Sequence, residues 1–528
     1  MSIGFFVVGL ILYRLSAARF PVEWDGAQLV MALDRFDVVN GTPHPPGYWL
    51  YIAAGRAIRG ATSLDGSASL TMVSSIAGAA TAGGTHALGR AMGGRLLGVI
   101  AAALVLTSPF LWFYGASVAT YTLDALACTV LLGLAWHARP GSWHGLAAAG
   151  VLGVSAGFRQ TSLLLFAPLA LVAMARSARS IRTWAAGAAV GAVAIASWAI
   201  PMLLEQPGGV GAWREASDAL LEGSVDQTAF FAGTAEVVTR NMTQGATYAA
   251  VTFLPAAIVG LVAWLQLVRW RRSRERALLG TPGGRRHPRR SPAAPLLAAL
   301  GAVPAVAFLV LIHFGKAGYL LAALPAGVLL LLTPVARLPR RTRLAVAITA
   351  LIVCVLSAQR FLFAPGIVPE PLVDATPLFL TSSVNGAPYP FTAEAVEASD
   401  EAAVDQLALA DELDPARDVL VWGWLNGGER YRHATLLLPQ FTTSFVRDSM
   451  HVHTARDARW RTDPDTTLEV PVGGRAVFVL AHVPPDLEVL LAAGLAEEVR
   501  LADGPTVWAV GPGATLLGVE VVEGDTEV

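Results

Sequence analysis

Residues 184–203 read WAAGAAVGAVAIASWAIPML, twenty consecutive residues without a charge. A hydrocarbon core about 30 Å thick takes roughly 20 residues of helix to cross, so the stretch has the length and polarity of a membrane span. Outward from it, similar apolar windows recur near 2–18, 71–91, 96–114, 120–137, 144–158, 160–175, 246–268, 293–312, 319–336 and 344–363. The 144–175 stretch makes two spans only if Phe158, Arg159 and Gln160 turn at a surface. With 184–203 included, the pattern predicts an all-α polytopic transmembrane helical bundle of about 11 spans over residues 1–365.

Composition agrees. The 528 residues are 54% hydrophobic and only 15% charged, with a mean hydropathy of +0.54, whereas a soluble domain carries about a quarter charged residues. The formal net charge of -1 conceals a segregation of arginines into a few short connections. Nucleic acid is excluded as the main partner, because a phosphate-binding surface needs a net basic footprint. Cys128 and Cys354 both sit inside apolar runs, which excludes a disulfide framework. The apolar stretch Ile3–Tyr13 has neither a basic region before it nor a small-residue cleavage site after it, and reads as a retained first span.

Short loops rich in arginine stay cytoplasmic. The strongest such signal is the run Arg269, Arg271, Arg272, Arg274 and Arg276, continued by Arg285, Arg286, Arg289 and Arg290. Arg90 with Arg95, Arg139, Arg176 with Arg179 and Arg182, and Arg337 with Arg340, Arg341 and Arg343 alternate correctly with an N-in topology. The opposite face then receives segment 19–70, loop 204–245, the His313–Lys316 turn and everything after about residue 364. The chain is expected in the cell (plasma) membrane as a multi-pass protein with its C-terminal domain extracytoplasmic.

Residues 366–528 change regime, with prolines, acids and short β-patterned runs. Val419–Trp422, Ala476–Leu480 and Val507–Val510 read as buried strands, and Glu429–Leu438 and Pro485–Ala493 as helices. A small C-terminal α/β domain is expected. Gly427-Gly428 reads as a turn and not as a nucleotide site.

The chemistry concentrates in Glu23-Trp24-Asp25-Gly26 and His44-Pro45-Pro46-Gly47-Tyr48-Trp49-Leu50-Tyr51, a polar, acidic loop after the first span. Prolines hold φ near -65°, so the His-Pro-Pro-Gly turn is rigid, and it leads into an aromatic stripe suited to a membrane interface. These residues resemble the GT-C superfamily of integral membrane glycosyltransferases, particularly the bacterial relatives of the protein O-mannosyltransferases. Tyr114-Gly115, Tyr121-Thr122-Leu123-Asp124 and His313-Phe314-Gly315-Lys316-Ala317-Gly318-Tyr319 support the resemblance, which covers residues 1–365.

The resemblance implies a polyprenyl-phosphate sugar donor, an acceptor outside the cytoplasm (protein, lipid or polysaccharide), inversion at the anomeric carbon and an aspartate base in the first outer loop. Asp25 is the matching position, with Glu23 beside it. A carboxylate within reach of the acceptor hydroxyl takes its proton as it attacks. Charge builds on the departing phosphate, and a cation there stabilises the transition state. Lys316, Arg159 and Arg56 are the candidates, against plainer readings as a snorkelling lysine, a loop-end anchor and a headgroup contact. His44, Tyr48, Tyr121, Asp124 and His313 are candidate substrate contacts; a local turn cap, an aromatic belt and a helix-to-helix polar contact are their structural alternatives. No cofactor is implied with certainty: Glu23 and Asp25 could hold a divalent metal, but two carboxylates are a weak signature. No zinc-protease, Cys-x-x-Cys, P-loop or nucleophile-elbow motif is present. A transporter or lipid flippase of the cell envelope is the alternative class, although repeat symmetry is not evident.

Overall fold

The computed structural model describes residues 1–225, 228–278, 293–312, 316–363, 391–423, 431–447, 451–454, 467–480, 483–500 and 506–524. His313, the Gly427-Gly428 pair, Arg285, Arg286, Arg289, Arg290 and the expected domain boundary at 365/366 lie outside the described residues.

The first part of the chain is helical: α1 Ser2–Leu15, α2 Trp24–Met31, α3 Trp49–Ala61, α4 Gly66–Gly93, α5 Arg95–Leu106, α6 Pro109–Gly115, α7 Tyr121–His137 and α8 His144–Phe158. Then come α9 Thr161–Ser177, α10 Ile181–Glu205, α11 Gly209–Val225, α12 Ala229–Ala232, α13 Ala235–Leu278, α14 Ala293–Leu311, α15 Leu324–Leu331 and α16 Arg343–Phe363. The expected break between the fifth and sixth windows is present, because α8 ends at Phe158 and Arg159 takes an extended conformation before α9.

Among the described residues, four helices are long and apolar enough to cross a membrane: Ile181–Glu205, Val237–Ser273, Ala293–Leu311 and Arg340–Phe363. The expectation of about 11 spans is met only in part. Helices α1, α7, α8 and α9 are apolar but shorter. Helix α4 is long but rich in Ser, Thr and Gly. The 96–114 window is two helices, α5 and α6, bent by 60° where Ser108 leaves the helix and Pro109 opens the next one.

The 319–336 window is a larger correction. It is a 3-10 turn Ala317–Ala322, the short helix α15 and a second 3-10 turn Thr333–Arg337, with Pro325 and Pro334 each within the first two positions of an element. Residues from Leu320 to Leu324 are fully buried. The segment is apolar because protein surrounds it, which is where irregular backbone at membrane depth is tolerated.

Small residues let the helices approach closely, as expected where lipid removes the hydrophobic drive between them. A Cβ on Gly83 would come within 2.9 Å of the Ser2 carbonyl, and one on Gly98 within 2.6 Å of the His86 carbonyl. Large apolar side chains on α10 and α16, including Val193, Ile200, Leu344 and Leu351, face outward.

The arginine-bearing connections gather at one end. Gly141 N donates to Ser177 O at 2.7 Å, Arg179 Nη2 donates to Pro140 O at 2.9 Å, and Gly94, Trp136 and Arg337 line one cavity. That common end is what the alternation of spans requires.

The C-terminal part contains helices α17 Ala393–Glu412, α18 Tyr431–Leu437 and α19 Pro485–Ala492. Its strands are β1 Asp418–Gly423, β2 Thr443–Arg447, β3 His451–Thr454, β4 Thr467–Val470, β5 Arg475–Val479, β6 Ala496–Arg500, β7 Thr506–Val510, β8 Thr515–Leu516 and β9 Val519–Glu523. The main sheet has the order β3-β2-β1-β5-β7-β6, with β1 parallel to both β2 and β5, and the small sheet has the order β4-β9-β8. Alternation along β1 explains the layers. Leu420 and Trp422 pack with Leu409, Ala434 and Leu438 of the α17–α18 side, whereas Val419 and Val421 pack with Leu487, Leu490 and the small sheet.

This α/β unit grips the loop that follows α1. Asp400 accepts hydrogen bonds from Arg19 N and Phe20 N, both at 2.9 Å at their shortest. His433 Nε2 donates to Pro21 O at 2.8 Å, and Arg432 Nη1 donates to Gln28 Oε1 at 2.7 Å.

Candidate functional site

Asp25 sits in the first turn of α2. The ammonium of Lys316, the residue that caps the 3-10 turn Ala317–Ala322, donates directly to Asp25 Oδ2. The same Nζ is 3.9 Å from Glu23 Oε2, so one cation stands between two carboxylates. On the other Asp25 oxygen, Oδ1, Arg432 Nη1 lies at 3.6 Å and His44 Nδ1 at 3.8 Å. Among the described residues, no group of three or more His, Cys, Asp or Glu side chains could hold a metal ion.

The two carboxyls are driven apart. Burial disfavours charge on Asp25, but Lys316, followed by His44 and Arg432, outweighs it and holds the carboxyl well below the usual range. Glu23 is only 6% exposed, and burial pushes its carboxyl up in spite of Lys316. Tyr114 OH donates to Glu23 Oε1 at 3.3 Å. One lysine thus stands between a carboxyl held low and a carboxyl pushed up. Burial also pushes His44 down to about 4, against the opposing pull of Asp25, so its ring is neutral at neutral pH.

The His-Pro-Pro-Gly turn requires its glycine. Gly47 has φ 118°, which favours glycine, and a Cβ there would meet Phe36 at 3.1 Å and Met202 at 3.2 Å. Tyr48 follows with φ 49°, and such left-handed residues persist only where their surroundings hold them. His44 Nε2 and Tyr48 OH are 3.1 Å apart.

Arg159 and Asp124 meet, but as partners. Arg159 Nε is 3.1 Å from Asp124 Oδ2, with the side chains 3% and 2% exposed, and Ser162 Oγ donates to Asp124 Oδ1 at 2.6 Å. The guanidinium is sandwiched between Tyr121 and Tyr319, 4.2 and 4.3 Å from their ring centroids. Arg159 is thus paired with Asp124 and held between the two tyrosines, whereas Lys316 is paired with Asp25. Gly318 makes this possible, since a Cβ there would lie 2.4 Å from the Tyr121 ring. Asp124→Ala is expected to destabilise the protein by about 3–5 kcal/mol, because it strands a buried cation. Thermal unfolding in detergent checks this, and adding Arg159→Met should recover most of the loss.

Arg56 is engaged elsewhere. Its Nη1 pairs with Glu205 Oε1 at 2.6 Å, and Nε and Nη2 each donate, to Leu33 O and Ala32 O, at 2.9 Å. It ties α3 to the end of α10 and the acidic loop, and the structure does not bring it to Asp25. Sequence reasoning missed Arg432, Gln28 and Tyr319 as members of the site.

The architecture can be matched to solved structures. ArnT from Cupriavidus metallidurans in the apo state superposes with a TM-score of 0.54 at 15% identity, over 97% of this chain and 98% of that one. The chain has the ArnT fold. A second ArnT structure from the same organism, bound to undecaprenyl phosphate, matches with a TM-score of 0.53 at 15% identity, over 97% of this chain and 99% of that one. The likeness is one of fold, and it runs through the C-terminal α/β part as well as the bundle. No family model and no curated protein matches the sequence.

Proposed function

We propose that this chain is a membrane glycosyltransferase that moves a hexosyl or pentosyl group from a polyprenyl-phosphate carrier to an extracytoplasmic acceptor, with inversion. The observation that carries the reading is Lys316 standing between Glu23 and Asp25 at the end of an apolar bundle with the ArnT fold. Asp25 takes the proton of the acceptor hydroxyl as its oxygen attacks the anomeric carbon. The bond from that carbon to the phosphate oxygen breaks, the pair of electrons stays on the phosphate, and Lys316 compensates the added charge. Lys316 must leave Asp25 for the phosphate, and the loss of that contact raises the basicity of the carboxylate when a proton has to be accepted.

The test is direct. Purified protein in lipid nanodiscs is given polyprenyl-phosphate mannose, glucose, galactose and arabinose together with a cell-envelope fraction. Release of free polyprenyl phosphate with label entering the envelope fraction is expected from at least one donor. Intact donor throughout, with lipid moved between leaflets, is the result of a flippase and would overturn the reading.

A further inference from the structure

We propose that Arg432, carried by the C-terminal domain, is a positioning residue of the Asp25 site: it holds the carboxylate from the side opposite Lys316 and forms a wall of the recess that receives the acceptor. The inference rests on the reading of Asp25 given under Proposed function.

The geometry divides Asp25 into two sides. Oδ2 belongs to Lys316, and Oδ1 faces Arg432 and His44. Arg432 is itself fixed along one turn of α2, over Trp24 with its guanidinium carbon 4.1 Å from the ring centroid and donating to Gln28 Oε1. Trp24 and Gln28 flank Asp25 on the same helix, so the arginine grips the turn that carries the carboxylate. Its side chain is 11% exposed, and the neighbouring His433 is bound to Pro21 O.

A recess of about 280 Å³ lies against this face. Asp25, Gln28, His44 and Arg432 form one wall, and Glu215 and Ala219 of α11 belong to the other; Lys316 does not line it. The volume is at the small end of ligand pockets, with room for one sugar-sized polar head. The carboxylate therefore has its lysine on one side and an entry for a hydroxyl on the other. When phosphate draws Lys316 away, a carboxylate held by the lysine alone would be free to swing. Arg432 keeps it aimed at the recess.

Among the described residues, the charged and titratable groups around Asp25 are Glu23 on its own loop, His44 and Tyr48 at the His-Pro-Pro-Gly turn, Lys316, Arg432, and Glu215 across the recess. Removing Arg432 deletes a cation beside Asp25, so the acid limb of the pH profile should move to higher pH. The experiment uses full-length Arg432→Ala and Arg432→Lys with the polyprenyl-phosphate sugar that the unaltered protein turns over. The alanine variant is expected to lose about 100-fold in kcat, the scale of a misplaced catalytic group, with donor KM little changed. The lysine variant should regain part of kcat and return the acid limb toward its original position. Binding of undecaprenyl phosphate reports that each variant is folded. An unchanged kcat and acid limb in the alanine variant overturns the inference. So does a lysine variant as impaired as alanine with donor KM rising in step, the signature of a displaced domain. If the unaltered protein turns over no donor, the glycosyltransferase reading itself fails and Arg432's role falls with it.

Discussion

Asn in place of Asp25 is expected to lower sugar transfer by about 10²–10⁴-fold, the contribution of a positioned general base, while undecaprenyl phosphate binds at least as tightly as before. The opposite signs follow from one contact. Asp25 is the hydrogen-bond partner of Lys316, and under the proposed function it would compete with the lipid phosphate for the ammonium. Asparagine keeps the shape, gives up the charge and releases the lysine. Lipid affinity measured by titration and transfer measured with labelled donor should therefore diverge, and a variant that loses both has lost its fold instead. Wild-type turnover in Asp25→Asn would remove the carboxylate from the mechanism.

Replacing Lys316 by Ala is expected to cost both properties. Loss of one charge-assisted contact weakens undecaprenyl phosphate binding by roughly 10–100-fold. Turnover falls by a further factor of about 10²–10³ when the charge on the leaving phosphate is no longer met. The carboxylates respond as well, because Lys316 opposes the effect of burial on both Glu23 and Asp25. Without it both shift upward, and activity is lost on the acid side of the profile sooner than in the unaltered protein. A variant that keeps its lipid affinity would place the phosphate elsewhere.

The helices were legible because a bilayer imposes a length and an apolar composition that few other environments demand. The same rule misread residues 319–336, since apolarity alone does not separate a lipid-facing helix from a segment wrapped in protein. Glu23, Asp25, His44, Tyr48, Tyr121 and Lys316 stood out as polar or aromatic residues around apolar runs, and the structure draws them together. Arg159 and Asp124 stood out for the same reason, but that each is the other's partner depends on the packing of α7 against the turn between α8 and α9. Arg56 looked like a free cation because nothing near it in sequence announces Glu205. Arg432 carried no signal: an arginine on a helix of an α/β domain is ordinary, and only tertiary contact with Trp24, Asp25 and Gln28 gives it meaning.

The grip of the C-terminal domain on the first loop has a consequence for how the protein is made. Gln28 and Arg432 are 404 residues apart, and Pro21 and His433 are 412 apart. At about 5–20 residues per second, a ribosome that has finished the loop must work for roughly 20–80 s more before the partners of that loop exist. Through that interval Pro21 and Gln28 have no partner from the C-terminal domain. A chain ended before Arg432 would lack the partners of Pro21 and Gln28, and the first loop would be without its tether to the C-terminal domain.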